Sequence, residues 1–133
     1  MSIETAALPD GGRYQRDNVV IRIRYADGSL ATVAYLANGA SGIGKEYVEV
    51  FGGGRAATID DFRRVKLVSP ENSKHIGGRF AKQDKGHRGE IAAFLRAVRG
   101  GLPSPIPFAE LVTTTRLSFA ALDSLQSGRP VSV

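Results

Sequence analysis

The sequence predicts an α+β fold: an open, mainly antiparallel β-sheet with two C-terminal helices packed on one face. Three observations carry this expectation. Strand-like runs, most of them alternating apolar and polar residues, occupy residues 18–69. A 3.6-residue period replaces them from Asp84 onward. The connections between the strands are short and rich in Gly and Asp, which favours hairpins over crossovers. With 133 residues the chain has the length of one domain with a real core.

Residues 1–17, rich in Gly, Pro and Asp and without periodicity, are expected to be an N-terminal arm or linker, with the folded domain spanning 18–133. From Asn18, Val19, Ile21, Ile23 and Tyr25 alternate with Arg22 and Arg24, the pattern of a strand with one wet face. Asp27-Gly28 then signals a type I′ hairpin, whose two central residues need positive φ. The second strand, about Leu30 to Asn38, carries Leu30, Ala31, Val33, Ala34, Tyr35, Leu36 and Ala37 on both faces. A solvent-facing antiparallel strand alternates, so its second face requires a cover.

Lys45–Phe51, Arg55–Asp60 and Arg64–Ser69 complete the strands, with Pro70 ending the last. Ser69–Lys82 is polar and Gly-containing and is expected to be a loop with extended pieces. Ile91, Phe94, Leu95 and Val98 share one helical face, with Asp84 as the expected N-cap and Gly100-Gly101 as the stop. Pro103, Pro105 and Pro107 hold the connector extended, with Pro107 the expected first residue of the next helix. There Phe108, Leu111, Val112, Thr115, Phe119 and Leu122 are expected to form one face before Gly128 and a final strand, Pro130–Val133.

Composition narrows the function classes. Apolar residues make up 42% and charged residues 23%, a globular mix, and no apolar run approaches the ~20 residues of a membrane span. The N-terminus lacks the basic and apolar regions of a signal peptide, so a cytoplasmic location is expected. The absence of cysteine excludes disulfides, thiolate zinc sites and a cysteine nucleophile, and His75 and His87 are the only histidines, too few for a histidine-rich metal site. The net charge of +5 comes from Arg and Lys scattered from Arg13 to Arg129, a solvated basic surface rather than a dedicated nucleic-acid site.

No visible motif supplies a catalytic centre. Gly52–Gly54 lacks the following helix of a dinucleotide fingerprint and reads as a turn or bulge between strands. Asp60 and Asp61, adjacent on a strand, would point to opposite faces and so serve as turn formers, and Glu46 and Glu49 cannot face one another. Lys85, His87 and Arg88, at the start of a helix, form a cationic group of the kind that meets anions, or simply a solvated first turn.

The segments DNVVIRIRYADGSLATVAYLANG, KEYVEVFGGGRAATIDDFR, QDKGHRGEIAAFLRAVRGG and PIPFAELVTTTRLSFAALDSLQSGRPVSV, in this order and spacing, resemble the C-terminal domain of the Gfo/Idh/MocA oxidoreductases. Within that family the similarity is to bacterial two-part dehydrogenase-like proteins. The resemblance covers 17–133 and implies the substrate-binding and oligomerisation domain of an NAD(P)-dependent enzyme acting on a sugar, polyol or related hydroxy compound. It implies a homodimer or tetramer through the open sheet face, which would cover the doubly apolar strand, and a Rossmann domain supplied in cis or in trans. The family's nucleotide-binding glycines and catalytic lysine lie upstream of the resembling region. The chain alone is therefore expected to hold no catalytic residue, no metal and no cofactor, with NAD or NADP belonging to the parent enzyme.

Lys45, Lys85 and His87 are the expected polar contacts to a small-molecule substrate. No membrane or nucleic-acid partner is expected on this reading. The alternative is a stand-alone binding or assembly module for an acidic ligand or nucleic acid; the ten aromatic residues give little stacking surface for the latter.

Overall fold

The alternating segments form strands and the 3.6-residue segments form helices, in the order β1 (Ser2–Ala7), β2 (Asn18–Arg24), β3 (Leu30–Leu36), β4 (Tyr47–Gly52), β5 (Arg55–Asp60), β6 (Arg64–Val68), β7 (Ser73–Gly77), α1 (His87–Gly100), α2 (Phe108–Ser127) and β8 (Val131–Ser132). The structure, a computed structural model, describes residues 1–7, 17–78 and 80–133. The class is α+β with open antiparallel sheets, and the strands divide over two four-stranded sheets rather than one. Where length suggests one domain, the chain forms two compact units, residues 1–39 with 103–133, and residues 40–102.

In the first unit the strands lie in the order β3-β2-β1-β8, each pair antiparallel. This corrects the reading of 1–17 as an arm. Residues 2–7 form a strand inside the sheet, where Ile3 opposes both Ile23 and Val131. Only Ile3 among the inward residues Ile3, Thr5 and Ala7 is strongly apolar, so the alternation was too weak to read. The remainder of the expected arm, 8–16, lies outside the described residues.

Ile3 is buried with Ala120 and Ala121 of α2, and Ile21, Ile23, Leu117 and Val131 pack around them. Burying one such isoleucine contributes about 1.5–3 kcal/mol. The opposite face is wet, with Arg22 ion-paired to Glu4 across the ladder. Exposed pairs of this kind contribute little, about 0–1 kcal/mol.

The buried stripe of α2 differs from the expected one. Leu117, Ala120, Ala121 and Ser124 face the sheet, whereas Phe108, Leu111, Phe119 and Leu122 are exposed. At 100° per residue the two stripes lie on opposite sides of the helix. Two alanines win the sheet because small side chains allow close approach of helix and strands.

The β2–β3 connection is a hairpin, with another turn than predicted. Gly28 has φ 86°, but Asp27 is not among the described residues of positive φ. The Gly28 N–H donates to the Tyr25 carbonyl at 3.2 Å and the Tyr25 N–H to the Ser29 carbonyl at 2.9 Å, giving a three-residue loop closed by a bulged glycine. The Asp27 carboxylate accepts from the Ser29 N–H at 3.0 Å and the Ser29 hydroxyl at 2.5 Å, fixing this form. Along β3, Leu30, Tyr35 and Leu36 are each more than half exposed.

The second unit is a meander, β4-β5-β6-β7. Its β4–β5 turn has the geometry predicted for the other hairpin: Gly53 and Gly54 both take positive φ, 55° and 71°, and Gly52 pairs with Arg55. Gly52–Gly54 is thus a turn between strands, as read from the sequence. β7 falls in the predicted loop 69–82, because Ser73, Lys74, His75 and Gly77 offer no apolar alternation.

Register sorts this sheet into two faces. Val48, Ile59, Val65 and Ile76 form one apolar row, with Val50, Ala57 and Leu67 beside it. Tyr47, Asp60 and Arg64, and Glu49, Thr58, Lys66 and His75, form two polar rows on the other side. On the apolar face Val48, Val50, Leu67 and Ile76 are exposed.

α1 begins at His87 rather than at the expected N-cap Asp84. Its N-cap is Gly86, with φ 82°, and the Asp84 carboxylate accepts the Gly86 N–H at 2.9 Å, making a local turn ahead of the helix. Gly101 and Gly128 end the two helices in the left-handed region, as expected. Pro107 is the N-cap of α2 rather than its first residue. In α1 only Ala97 is buried, and Ile91, Phe94, Leu95 and Val98 remain exposed.

Candidate functional site

The β5–β6 turn forces two residues with side chains into the left-handed region, Asp61 at φ 49° and Phe62 at φ 53°. Such a conformation is uncommon away from glycine and persists where its surroundings over-determine it. Here the Asp61 N–H donates to the Glu46 carbonyl at 2.7 Å, and the Phe62 carbonyl accepts from the Asp84 N–H at 3.1 Å. The turn is therefore clamped between the entry to β4 and the approach to α1.

The Asp61 carboxylate is the hub of this region. It accepts from the Lys45 N–H at 3.2 Å, from Arg63 Nε at 3.0 Å and from Gln83 Nε2 at 2.9 Å. The Arg63 hydrogen bond holds its carboxyl below the usual carboxylate range. Partial desolvation opposes that shift, while the Lys45 N–H and the charges of Arg63 and Lys85 reinforce it.

Lys85 completes the arrangement. Its ammonium donates to Glu46 Oε1 at 2.5 Å and stands 6.0 Å from the centre of the Phe62 ring, at the outer limit of a cation–π contact. The second oxygen, Glu46 Oε2, is buried and has no hydrogen-bond partner among the described residues.

Of the three residues predicted as ligand contacts, Lys45 and Lys85 border this cluster. Lys45 enters it through its backbone, and its ammonium makes no ion pair among the described residues. Lys85 enters through its side chain. His87 stands exposed as the first residue of α1, and its side chain has no hydrogen bond among the described residues. Glu46, Asp61 and Gln83 were not read as site residues. Asp61 carries only a turn signal in the sequence, and its partners Lys45 and Gln83 lie 16 and 22 positions away.

Cations and carboxylates nearly balance here, so the cluster is suited to positioning and hydrogen bonding. No group of His, Asp and Glu among the described residues is arranged to hold a metal ion. A concavity of about 190 Å³ adjoins it, bounded by Gly44, Asp60, Asp61, Arg63, Arg64 and Gly78. Complete small-molecule sites occupy roughly 300–1,000 Å³, so this hollow has the size of one part of a site. Among the described residues no helix is long and apolar enough to cross a membrane.

No protein-family model matches the sequence, and no curated protein matches it significantly. Solved structures do. An oxidoreductase from Agrobacterium radiobacter, crystallised with NAD+, L-tartaric acid and magnesium, superposes with a TM-score of 0.77 at 14% identity, over 98% of this chain and 42% of that one. This chain shares its fold with part of that oxidoreductase.

A protein of Thermotoga maritima, provisionally classed as an oxidoreductase, matches with a TM-score of 0.74 at 13% identity, over 100% of this chain and 40% of that one. YvaA of Bacillus subtilis, classed the same way, gives 0.64 at 10% identity, over 99% and 45%. The chain thus spans less than half the length of each of these structures. At such identities the likeness is one of fold, and function has to be argued from the site.

Proposed function

We propose that this chain is the substrate-binding and oligomerisation part of an NAD(P)-dependent oxidoreductase of the Gfo/Idh/MocA type, acting on a sugar, polyol or related hydroxy compound. The observation that carries the reading is the double apolar character of α2. One stripe packs on the first sheet, and the opposite one, Phe108, Leu111, Phe119 and Leu122, stays exposed. A helix apolar on both sides is built to lie between two layers, and the first sheet supplies one of them. The fold likeness, extending over 40–45% of the matched oxidoreductases, supports a missing layer that belongs to the rest of the enzyme.

NAD+ and L-tartaric acid in the Agrobacterium radiobacter structure support a nicotinamide cofactor for the parent enzyme and a hydroxylated substrate. The residues of this chain do not fit the dinucleotide. Gly52–Gly54 joins two antiparallel strands, whereas a pyrophosphate site needs a glycine turn that opens a helix. Hydride transfer therefore rests with the missing part.

In this reading Lys45, Lys85 and His87 bound the substrate cleft and direct cationic or N–H donors at hydroxyl or carboxylate oxygens. The exposed apolar face of the second sheet, with Val48, Val50, Leu67 and Ile76, forms the contact between copies. Saturation-transfer NMR with a panel of hexoses, polyols and hydroxy acids tests the substrate role. Saturable binding that weakens in Lys85→Gln supports it; no binding across the panel, by a folded chain, overturns it.

A further inference from the structure

The polar face of the second sheet holds a basic pair that its own carboxylates do not neutralise. Lys66 on β6 and His75 on β7 are directly opposed in register, and Thr58 precedes Lys66 in the same row. Lys66 carries a full positive charge there, and the His75 ring adds an N–H donor directly across from it. The acids of this face are engaged elsewhere: Asp60 pairs with Arg64, and Glu49 accepts the Tyr47 hydroxyl at 2.7 Å. Neither the Lys66 nor the His75 side chain has a hydrogen bond or ion pair among the described residues.

These residues line a concavity of about 440 Å³, with Tyr47, Thr58, Asp60, Lys66, His75 and Gly77 on its walls. That volume lies within the roughly 300–1,000 Å³ of small-molecule sites.

We infer that this face binds a small hydroxylated oxyanion, a carboxylate or a phosphate, whose charge lies between Lys66 and His75 and whose hydroxyl meets the Thr58 side chain. The site is separate from Lys45, Lys85 and His87 and does not depend on their role. The Lys66 ammonium and a His75 ring N–H supply charge-assisted hydrogen bonds to the oxyanion, and Thr58, half-buried in the middle of the sheet, supplies a fixed donor and acceptor beside them.

The test is heteronuclear NMR of the whole chain, titrated at constant ionic strength with inorganic phosphate and, separately, with gluconate. Saturable shifts centred on Thr58, Lys66 and His75 are expected, and the tighter of the two titrations tells phosphate from carboxylate. Lys66→Gln and His75→Gln, both at exposed positions, should each weaken binding about tenfold, the loss of one charge-assisted hydrogen bond. Lys74→Gln, on the opposite face of the same sheet, should leave it unchanged. The inference fails if neither anion saturates, or if Lys74→Gln weakens binding as much as Lys66→Gln, because that result would mean general charge attraction.

Discussion

The Ser124 hydroxyl on α2 accepts a hydrogen bond from the Thr5 backbone N–H on β1 at 2.9 Å, and Ser124 is wholly buried. β8 pairs with β1 only at Ser2 and Ile3, so the helix side chain takes up an N–H at Thr5 that the ladder does not reach. One serine thus ties the short edge of the sheet to the helix that covers it.

Ser124→Ala is expected to lower stability by about 1–3 kcal/mol, because it strands a buried N–H without a partner. Thr5→Val is expected to be neutral or slightly stabilising. The Thr5 hydroxyl is itself buried without a hydrogen-bond partner among the described residues, so little is lost with it. Urea unfolding of both variants checks the contrast, and a Thr5→Val loss as large as that of Ser124→Ala would contradict it.

Gly77 provides a second, backbone-based prediction. Its φ is 77°, and an added Cβ would lie 2.0 Å from the Arg63 carbonyl oxygen, a contact that forces the β6 entry to move. Gly77→Ala is expected to destabilise the second unit by more than the ~1 kcal/mol typical of a point mutation. Gly39→Ala, with open space around its Cβ, should cost little. Thermal melts followed by circular dichroism would separate the two.

Much of the fold was legible because its signals are local. The alternation of β2, the turn-forming run Gly52–Gly54 and the stops at Gly101 and Gly128 depend on neighbours in sequence. β1 and β7 were missed because their neighbours across the sheet, rather than their own composition, make them strands. The α2 face was misassigned because its large apolar side chains form one stripe while two alanines and a serine take the core. In the candidate site, Lys45 and Lys85 stand out in the sequence by their charge. Asp61, which organises their surroundings, became visible only when the fold brought residues 45, 61 and 83 together.

Asp61 also makes stability depend on acid pH. Its folded carboxyl titrates below its ordinary value of 3.8, held there chiefly by Arg63. A depressed carboxylate contributes stability that is fully present above the unfolded value and is lost as pH falls through the folded one. Stability should therefore decline as pH drops from about 3.8 toward more acid values, and Asp61→Asn should flatten this part of the profile while lowering stability near neutrality. Urea midpoints measured across acid pH for both proteins check the sign; an unchanged slope in Asp61→Asn would exclude the Arg63–Asp61 pair as its source.

The last prediction concerns the apolar face of the second sheet, where Val50 is 59% and Ile76 49% exposed. A monomer seldom leaves a contiguous patch of this kind open to water, and a stable sheet-to-sheet contact buries on the order of 1,600 Å² in total. Light scattering across a dilution series is expected to give a dimer or tetramer. Val50→Lys should shift it to monomer without unfolding it, since the side chain already faces outward and a charge left unpaired in an apolar contact is costly. If the chain is a folded monomer at every concentration, the sheet face is not the contact between copies. If Val50→Lys stays oligomeric, the contact lies elsewhere, and the exposed stripe of α2, with Phe108 and Phe119, is the next face to disrupt.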